Sequence, residues 1–337
     1  MTEVNYKKQA QEYYANAPVI ILGSGASVAF GLPSMAELAD YIRSNIDADI
    51  IPRDQSGNWL EFCGLLETGV DLEAALHQVN FSPDITNIIV RSAWQLINNR
   101  DELVYKNALL DRSLFPLERL LKHMFRTSLN KLDVLTTNYD CLAEYACDQG
   151  EIHYYNGFSS GHIKRLSLPD YIKCVRTVNI WKVHGSIDWF YSESGDNISI
   201  SKPEYVPDEY EPQIVTPGVQ KYKRTHLEPF RTIISSADKA LERASSYFCF
   251  GFGFNDEHIQ PKLLTKCERD NASITVATHT LTNQAHELLF SGKIKNFLAI
   301  ERGENNGQSK IYSSLCDEPI LVNEDYWSMD GFLNLIM

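Results

Sequence analysis

The run Val19-Ile20-Ile21-Leu22, followed at once by Gly23-Ser24-Gly25-Ala26-Ser27, constrains this chain more than any other stretch. Four aliphatic residues bounded by glycine predict a short strand buried on both faces, as in a parallel sheet. Gly23 permits the tight turn out of that strand, and Gly25 permits a ligand to approach the backbone closely. The turn then opens a helix, whose free N–H groups would meet a diphosphate. In the fingerprint G-x-G-x-x-G the third glycine falls at position 28, which here is Val28, so the spacing alone is not specific. A strand-to-helix turn that binds nothing stays open as the other reading.

Further short apolar runs repeat the pattern. Leu132–Leu135 delivers Thr136-Thr137-Asn138-Tyr139-Asp140 at its carboxyl end, ahead of a helix from Leu142. In open α/β sheets ligands sit outside the carboxyl ends of the strands, which points these side chains at a site. A turn residue capping the next helix is the alternative for Asn138 and Asp140. Ile180–Val183 leads to His184-Gly185, where a histidine on a rigid platform could take a proton near neutral pH, or could be a hydrogen-bonded structural group. A helix through Phe230, Ile233, Ala237 and Leu241 precedes the strand Tyr247–Phe250, which runs into Gly251-Phe252-Gly253-Phe254-Asn255-Asp256. Ser273–Ala277 ends in Thr278-His279, and a helix over Leu281–Phe290 precedes a strand over Asn296–Ile300.

Between the first two strands the apolar positions recur at helical intervals, as in Leu72, Ala75, Leu76 and Val79, and Ser82-Pro83-Asp84 is a helix start. Residues 45–125 therefore read as an all-helical insertion, with His77 and His123 on helix surfaces or caps. Residues 192–224 are dense in Ser, Gly, Asp, Pro and Glu and read as a loop excursion outside the core. That stretch ends in Thr216-Pro217-Gly218 and the basic residues Lys221, Lys223 and Arg224, a solvated face or a phosphate or partner contact. The apolar segment at 326–337 either packs on its own domain or makes a subunit contact, and the second is the reading taken.

Across 337 residues the formal charge is −13, which argues against direct non-specific binding to nucleic acid or to an anionic membrane. No apolar run is long enough to span a bilayer, and Met1 to Asn16 lacks the apolar core of a signal peptide. The seven cysteines, Cys174 among them, are scattered without a C-x-x-C pair and read as reduced thiols of a cytoplasmic protein.

Taken in order, Gly23-Ser24-Gly25-Ala26-Ser27 with Gly31-Leu32-Pro33, Thr136-Thr137-Asn138-Tyr139-Asp140, His184-Gly185 and Gly251-Phe252-Gly253-Phe254-Asn255-Asp256 resemble the successive motifs of the sirtuin superfamily. The departures are Thr137 where deacetylases carry glutamine, the helical insertion, and the missing zinc-ribbon cysteines. These departures resemble the sirtuin-like domains of bacterial anti-phage defence systems, which cleave NAD. The fold expected is α/β: a Rossmann-like parallel sheet with helices on both faces, plus a helical insertion subdomain. The domain would comprise 1–44 and 126–310, with the insertion at 45–125, the excursion at 192–224 and a docking segment at 311–337.

The resemblance implies hydrolysis of the nicotinamide–ribose bond of NAD, without zinc. Asn138 would position ribose and water, and His184 would act as general base. Gly23, Ser24, Gly25, Ala26, Ser27, Pro33, Thr137, Asp140, Gly251, Phe252, Gly253, Asp256 and Thr278 would bind the dinucleotide. Asp140 would brace its loop or touch nicotinamide, and Asp256 would orient the second glycine loop. A homo-oligomer and a co-encoded partner such as a HerA-type ATPase are also implied, with no direct nucleic-acid contact. A protein deacylase and a non-catalytic sensor of NAD or ADP-ribose are the two other classes left open.

Overall fold

Each of the short apolar runs forms a strand. The structure, a computed structural model, describes residues 5–159, 163–167, 176–192, 194–215, 227–256 and 258–337. Its strands are β1 Val19–Leu22, β2 Lys131–Thr136, β3 His153–Tyr155, β4 Ile163–Arg165, β5 Thr177–Lys182, β6 Gly185–Ser192 and β7 Asn197–Ile200. They continue as β8 Tyr210–Ile214, β9 Ser246–Phe250, β10 Ser273–Thr278, β11 Phe297–Arg302, β12 Ser309–Ser313 and β13 Cys316–Val322. The helices are α1 Tyr6–Ala15, α2 Ser24–Val28, α3 Met35–Asn45, α4 Ser56–Glu67, α5 Leu72–Gln78 and α6 Pro83–Leu110. After them come α7 Pro116–Met124, α8 Leu142–Gln149, α9 Phe230–Arg243, α10 Gln260–Arg269, α11 Asn283–Leu289 and α12 Met329–Ile336.

Nine strands form one sheet in the order β13-β12-β11-β10-β9-β1-β2-β5-β3, and the strands from β11 to β3 are mutually parallel. Ile21 of β1 stands in register with Leu135 on one side and Cys249 on the other. The chain leaves β1 toward β2 and later returns to its opposite side as β9. The crevice at this change of direction is where open α/β sheets take their ligands.

Both faces of the central strands are covered, which is why β1 and β9 are buried along their whole length. Ile20, Leu22, Val134, Phe248 and Phe250 belong to one core, and Val19, Ile21, Leu135, Tyr247 and Cys249 to the other. The helices of 45–125 share the first core: Phe62, Trp94 and Leu120 lie in one cluster with Ile20. Ser82 caps the 28-residue α6 by accepting from the Ile85 N–H, with Pro83 in its first turn. Midway along α6, buried Trp94 donates from Nε1 to the Ile187 carbonyl at 2.7 Å and ties the helix to β6.

Two expectations are corrected. Residues 192–224 are not all excursion, since they contribute β7 and β8 to a four-stranded antiparallel sheet of order β4-β7-β6-β8. Thr216-Pro217-Gly218, the cluster Lys221, Lys223 and Arg224, and Cys174 lie outside the described residues. The C-terminal segment packs on its own chain. Phe332 and Leu333 are fully buried, and the Phe332 ring meets those of Phe248 and Phe250 at 5.2 and 5.5 Å between centroids. Burying one such ring is worth about 1.5–3 kcal/mol, which secures the helix against its own sheet.

Candidate active site

The carboxyl ends of β1, β2 and β9 converge on a cavity of about 210 Å³, several times the ~30 Å³ share of one water. Eleven of the residues singled out in the sequence line it: Gly23, Ser24, Ser27, Pro33, Thr137, Asn138, Asp140, His184, Phe252, Gly253 and Asp256. Gly25, Ala26, Gly251 and Thr278 lie outside its lining. Thr278 instead donates from Oγ1 to the Thr280 carbonyl at 3.4 Å.

The two glycine loops grip each other. Gly23 N donates to Phe250 O at 3.0 Å, Gly25 N to Gly251 O at 3.1 Å, and Ala26 N to Gly23 O at 3.0 Å. A Cβ on Gly23 would stand 2.4 Å from Gly251 O, and one on Gly25 would stand 2.9 Å from Gly251 Cα. Glycine at 25 therefore admits another loop of the same chain, not a ligand, and the N–H groups of Gly23, Gly25 and Ala26 are already satisfied. This corrects the expectation that those amides would face a diphosphate.

Between the loops runs a buried chain of polar groups. Asn138 Nδ2 donates to Gly23 O at 2.9 Å and to Ser27 Oγ at 2.8 Å, and Ser27 Oγ donates to Asp140 Oδ2 at 2.7 Å. Because Gly23 O can only accept, the amide face of Asn138 is fixed, and its Oδ1 is the atom left to accept from a bound hydroxyl or water. The other Asp140 oxygen accepts from Leu142 N at 3.2 Å, at the start of α8. Burial pushes the Asp140 carboxyl up to about 6, against the opposing pull of the Lys182 ammonium and the Ser27 hydrogen bond. Lys182 is fully buried below it and donates from Nζ to the Asp140 carbonyl and, at 3.3 Å, to Glu144 Oε1. Burial would lower its pKa, but Cys141, Glu144, Asp188 and Asp140 outweigh it and hold Lys182 above its usual value.

His184 stands where β5 ends, with Nε2 2.8 Å from Asp256 Oδ2. Asp256 Oδ1 meanwhile accepts from His258 N and Ile259 N at 3.0 and 2.8 Å, which fixes the turn leading into α10. The Asp256 carboxylate thus stands beside the imidazole at ion-pair distance, with both side chains largely buried. Sequence reasoning assigned Asp256 to its loop and did not foresee this pair. It also did not assign Leu32, Met35, Leu38, Ile97, Tyr139, Val215 and Asn255, which complete the cavity lining. Pro33 and Met35 flank Ser34, whose hydroxyl accepts from Glu37 N while Glu37 accepts from Ser34 N, a capping box that fixes the start of α3 against the cavity.

Residues 133–297 match the family model of the SIR2-like domain. This stretch is sirtuin-like. No curated protein matches the chain. Similar solved structures include a Sir2 homologue in complex with NAD, at 14% identity over 88% of each chain and a TM-score of 0.45. A mutant Sir2 homologue in complex with 2′-O-acetyl ADP-ribose is 14% identical over 96% of this chain and 95% of that one, with a TM-score of 0.48. A further mutant Sir2 homologue, bound to ADP-ribose, is 16% identical over 84% and 88%, with a TM-score of 0.46. Among the described residues no helix is long and apolar enough to cross a membrane.

Proposed function

We propose that the cavity binds NAD and that the protein hydrolyses its nicotinamide–ribose bond, releasing nicotinamide and ADP-ribose. The observation that carries this reading is the convergence of Asn138 and the His184–Asp256 pair on one cavity, with residues 133–297 matching the SIR2-like family model. The bond from ribose C1′ to the nicotinamide nitrogen breaks, and its electron pair leaves with nicotinamide. The ribose then carries oxocarbenium character, as in glycoside cleavage. Water forms the new bond to C1′ and gives up one proton. Asn138 Oδ1 would accept a hydrogen bond from that water or from a ribose hydroxyl, and the His184 imidazole would take the proton. Asp256 would hold the imidazole and stabilise the charge it acquires. Depletion of NAD on activation, as a defence effector switched by assembly or by a partner ATPase, extends the same reading.

NAD consumption by the purified chain, with products separated by chromatography, tests the proposal alongside Asn138→Ala. Nicotinamide and ADP-ribose from wild type and neither from the folded variant would support it. A folded Asn138→Ala protein that retains turnover removes Asn138 from this role. Binding of NAD without turnover would favour the sensor reading, and turnover only with an acylated peptide would favour the deacylase.

A further inference from the structure

Behind the loop 137–141, away from the cavity just described, lies a second cavity of about 170 Å³ between α6, α8 and the small sheet. We propose that it is a binding site for a small organic ammonium ion. The proposal stands on this cavity alone and does not depend on NAD cleavage.

The first observation is an unsatisfied buried acceptor. Glu144 lines the cavity and is 4% exposed. Its Oε1 accepts from Lys182 Nζ at 3.3 Å and from Asn156 Nδ2 at 3.4 Å, while its Oε2 has no hydrogen-bond partner. A buried carboxylate oxygen left without a donor costs on the order of 1–3 kcal/mol, and a ligand N–H would remove that cost.

The second observation is charge. The carboxylates of Asp101, Glu144, Asp148 and Asp188 line the cavity, and they face the ammonium groups of Lys164 and Lys202 on its wall and Lys182 behind it. The lining itself carries four carboxyl groups and two ammonium groups, a formal excess of acidic groups that suits a cation. Asp188 is engaged by Ser186 and by Ser199 at 2.6 Å, and Asp101 by Lys202 at 3.0 Å. Glu144 and the exposed Asp148 remain for the ligand.

The third observation is that this wall already holds an ammonium group. Lys202 Nζ sits 3.9 Å from the centroid of the Tyr145 ring and 4.2 Å from that of Tyr105. Aromatic faces beside carboxylates favour organic cations, through the ring quadrupole as well as through charge. Tyr154 offers a third ring in the lining. Among the described residues no three His, Cys, Asp or Glu side chains stand close enough to hold a metal ion, so the wall suits N–H donors on a carbon chain.

Calorimetric titration of the full chain with n-butylammonium chloride tests this, with 1-butanol as the neutral isostere and ionic strength held constant. The expected result is saturable binding, with a Kd on the order of 1 mM, that 1-butanol does not reproduce. Glu144→Gln should weaken it about tenfold or more. Asp148→Asn, at an exposed position that leaves folding intact, should weaken it about threefold. The absence of saturable heat with wild type, equal binding of 1-butanol, or an unchanged Kd in Asp148→Asn would each overturn the proposal and leave a water-filled cavity.

Discussion

Replacing Gly251 by alanine tests whether contact between the two glycine loops builds the site. Gly251 has φ +56°, and an added Cβ would stand 2.2 Å from Ala26 N and 2.4 Å from Gly25 C. Both neighbours are backbone atoms, so no side chain can swing away. The left-handed conformation itself costs alanine about 1–2 kcal/mol. Relieving the overlap requires the loops to part by about 1 Å to reach ordinary carbon contact. That movement breaks the bond from Gly25 N to Gly251 O, worth about 1 kcal/mol, and strain in the packed surroundings adds about 1–3 kcal/mol. The sum is about 3–6 kcal/mol. Gly31→Ala separates the two causes, because Gly31 has φ +90° but its Cβ would meet no atom within 4 Å. It should lose only the conformational part, about 1–2 kcal/mol. Urea unfolding of both variants measures the difference, and NAD titration of any folded Gly251→Ala protein should show weakened binding. Equal losses in the two variants would refute the argument, since conformational strain alone would then account for both.

Three other outcomes follow from the site and the core. Asp140, raised to about 6 from 3.8, binds its proton more tightly in the folded chain than in the unfolded one. Its contribution favours folding below pH ~4 and is lost as pH rises through about 6, a change of about 3 kcal/mol. Urea midpoints followed from pH 4 to 7 should show that decline in wild type and not in Asp140→Asn. Asp256→Asn should lower kcat for NAD cleavage about 10²-fold or more while KM changes little, because the histidine loses its orienting carboxylate. A steady-state comparison of the two proteins decides it. Phe332→Ala should cost about 3–5 kcal/mol, read by chemical denaturation, because the ring is fully buried against Phe248 and Phe250.

The sheet was legible because a parallel strand covered on both faces has to be apolar throughout, as Val19–Leu22 and Ser246–Phe250 are nearly so. β7 and β8 were not. Asn197 and Ser199, and Glu211 with Pro212, carry the polar residues of a small antiparallel sheet whose edge strand β8 can accept a proline. Asn138 and His184 could be placed at the cavity because strand ends present side chains to the crevice. Ile97 was hidden in a long amphipathic helix, where a cavity wall and a core position look alike. The pairing of His184 with Asp256 joins two distant motifs, and only the arrangement of β5 and β9 brings them together. Gly25 and Gly251 misled for a simple reason: glycine is required whether the backbone it admits is a ligand's neighbour or the protein's own.

The position of β1 has a consequence for how the protein comes into being. It is the earliest strand in the chain, yet it lies in the middle of the sheet, between β2 and a strand contributed only at Ser246–Phe250. Until Ser246–Phe250 has been made, a growing chain therefore carries β1 with one edge unpaired and part of its cover missing. Such long-range parallel pairing is slow to form, and the waiting intermediate is prone to pair with the wrong neighbour. Chaperone supply during expression should thus influence the yield of this protein more than its final stability would suggest.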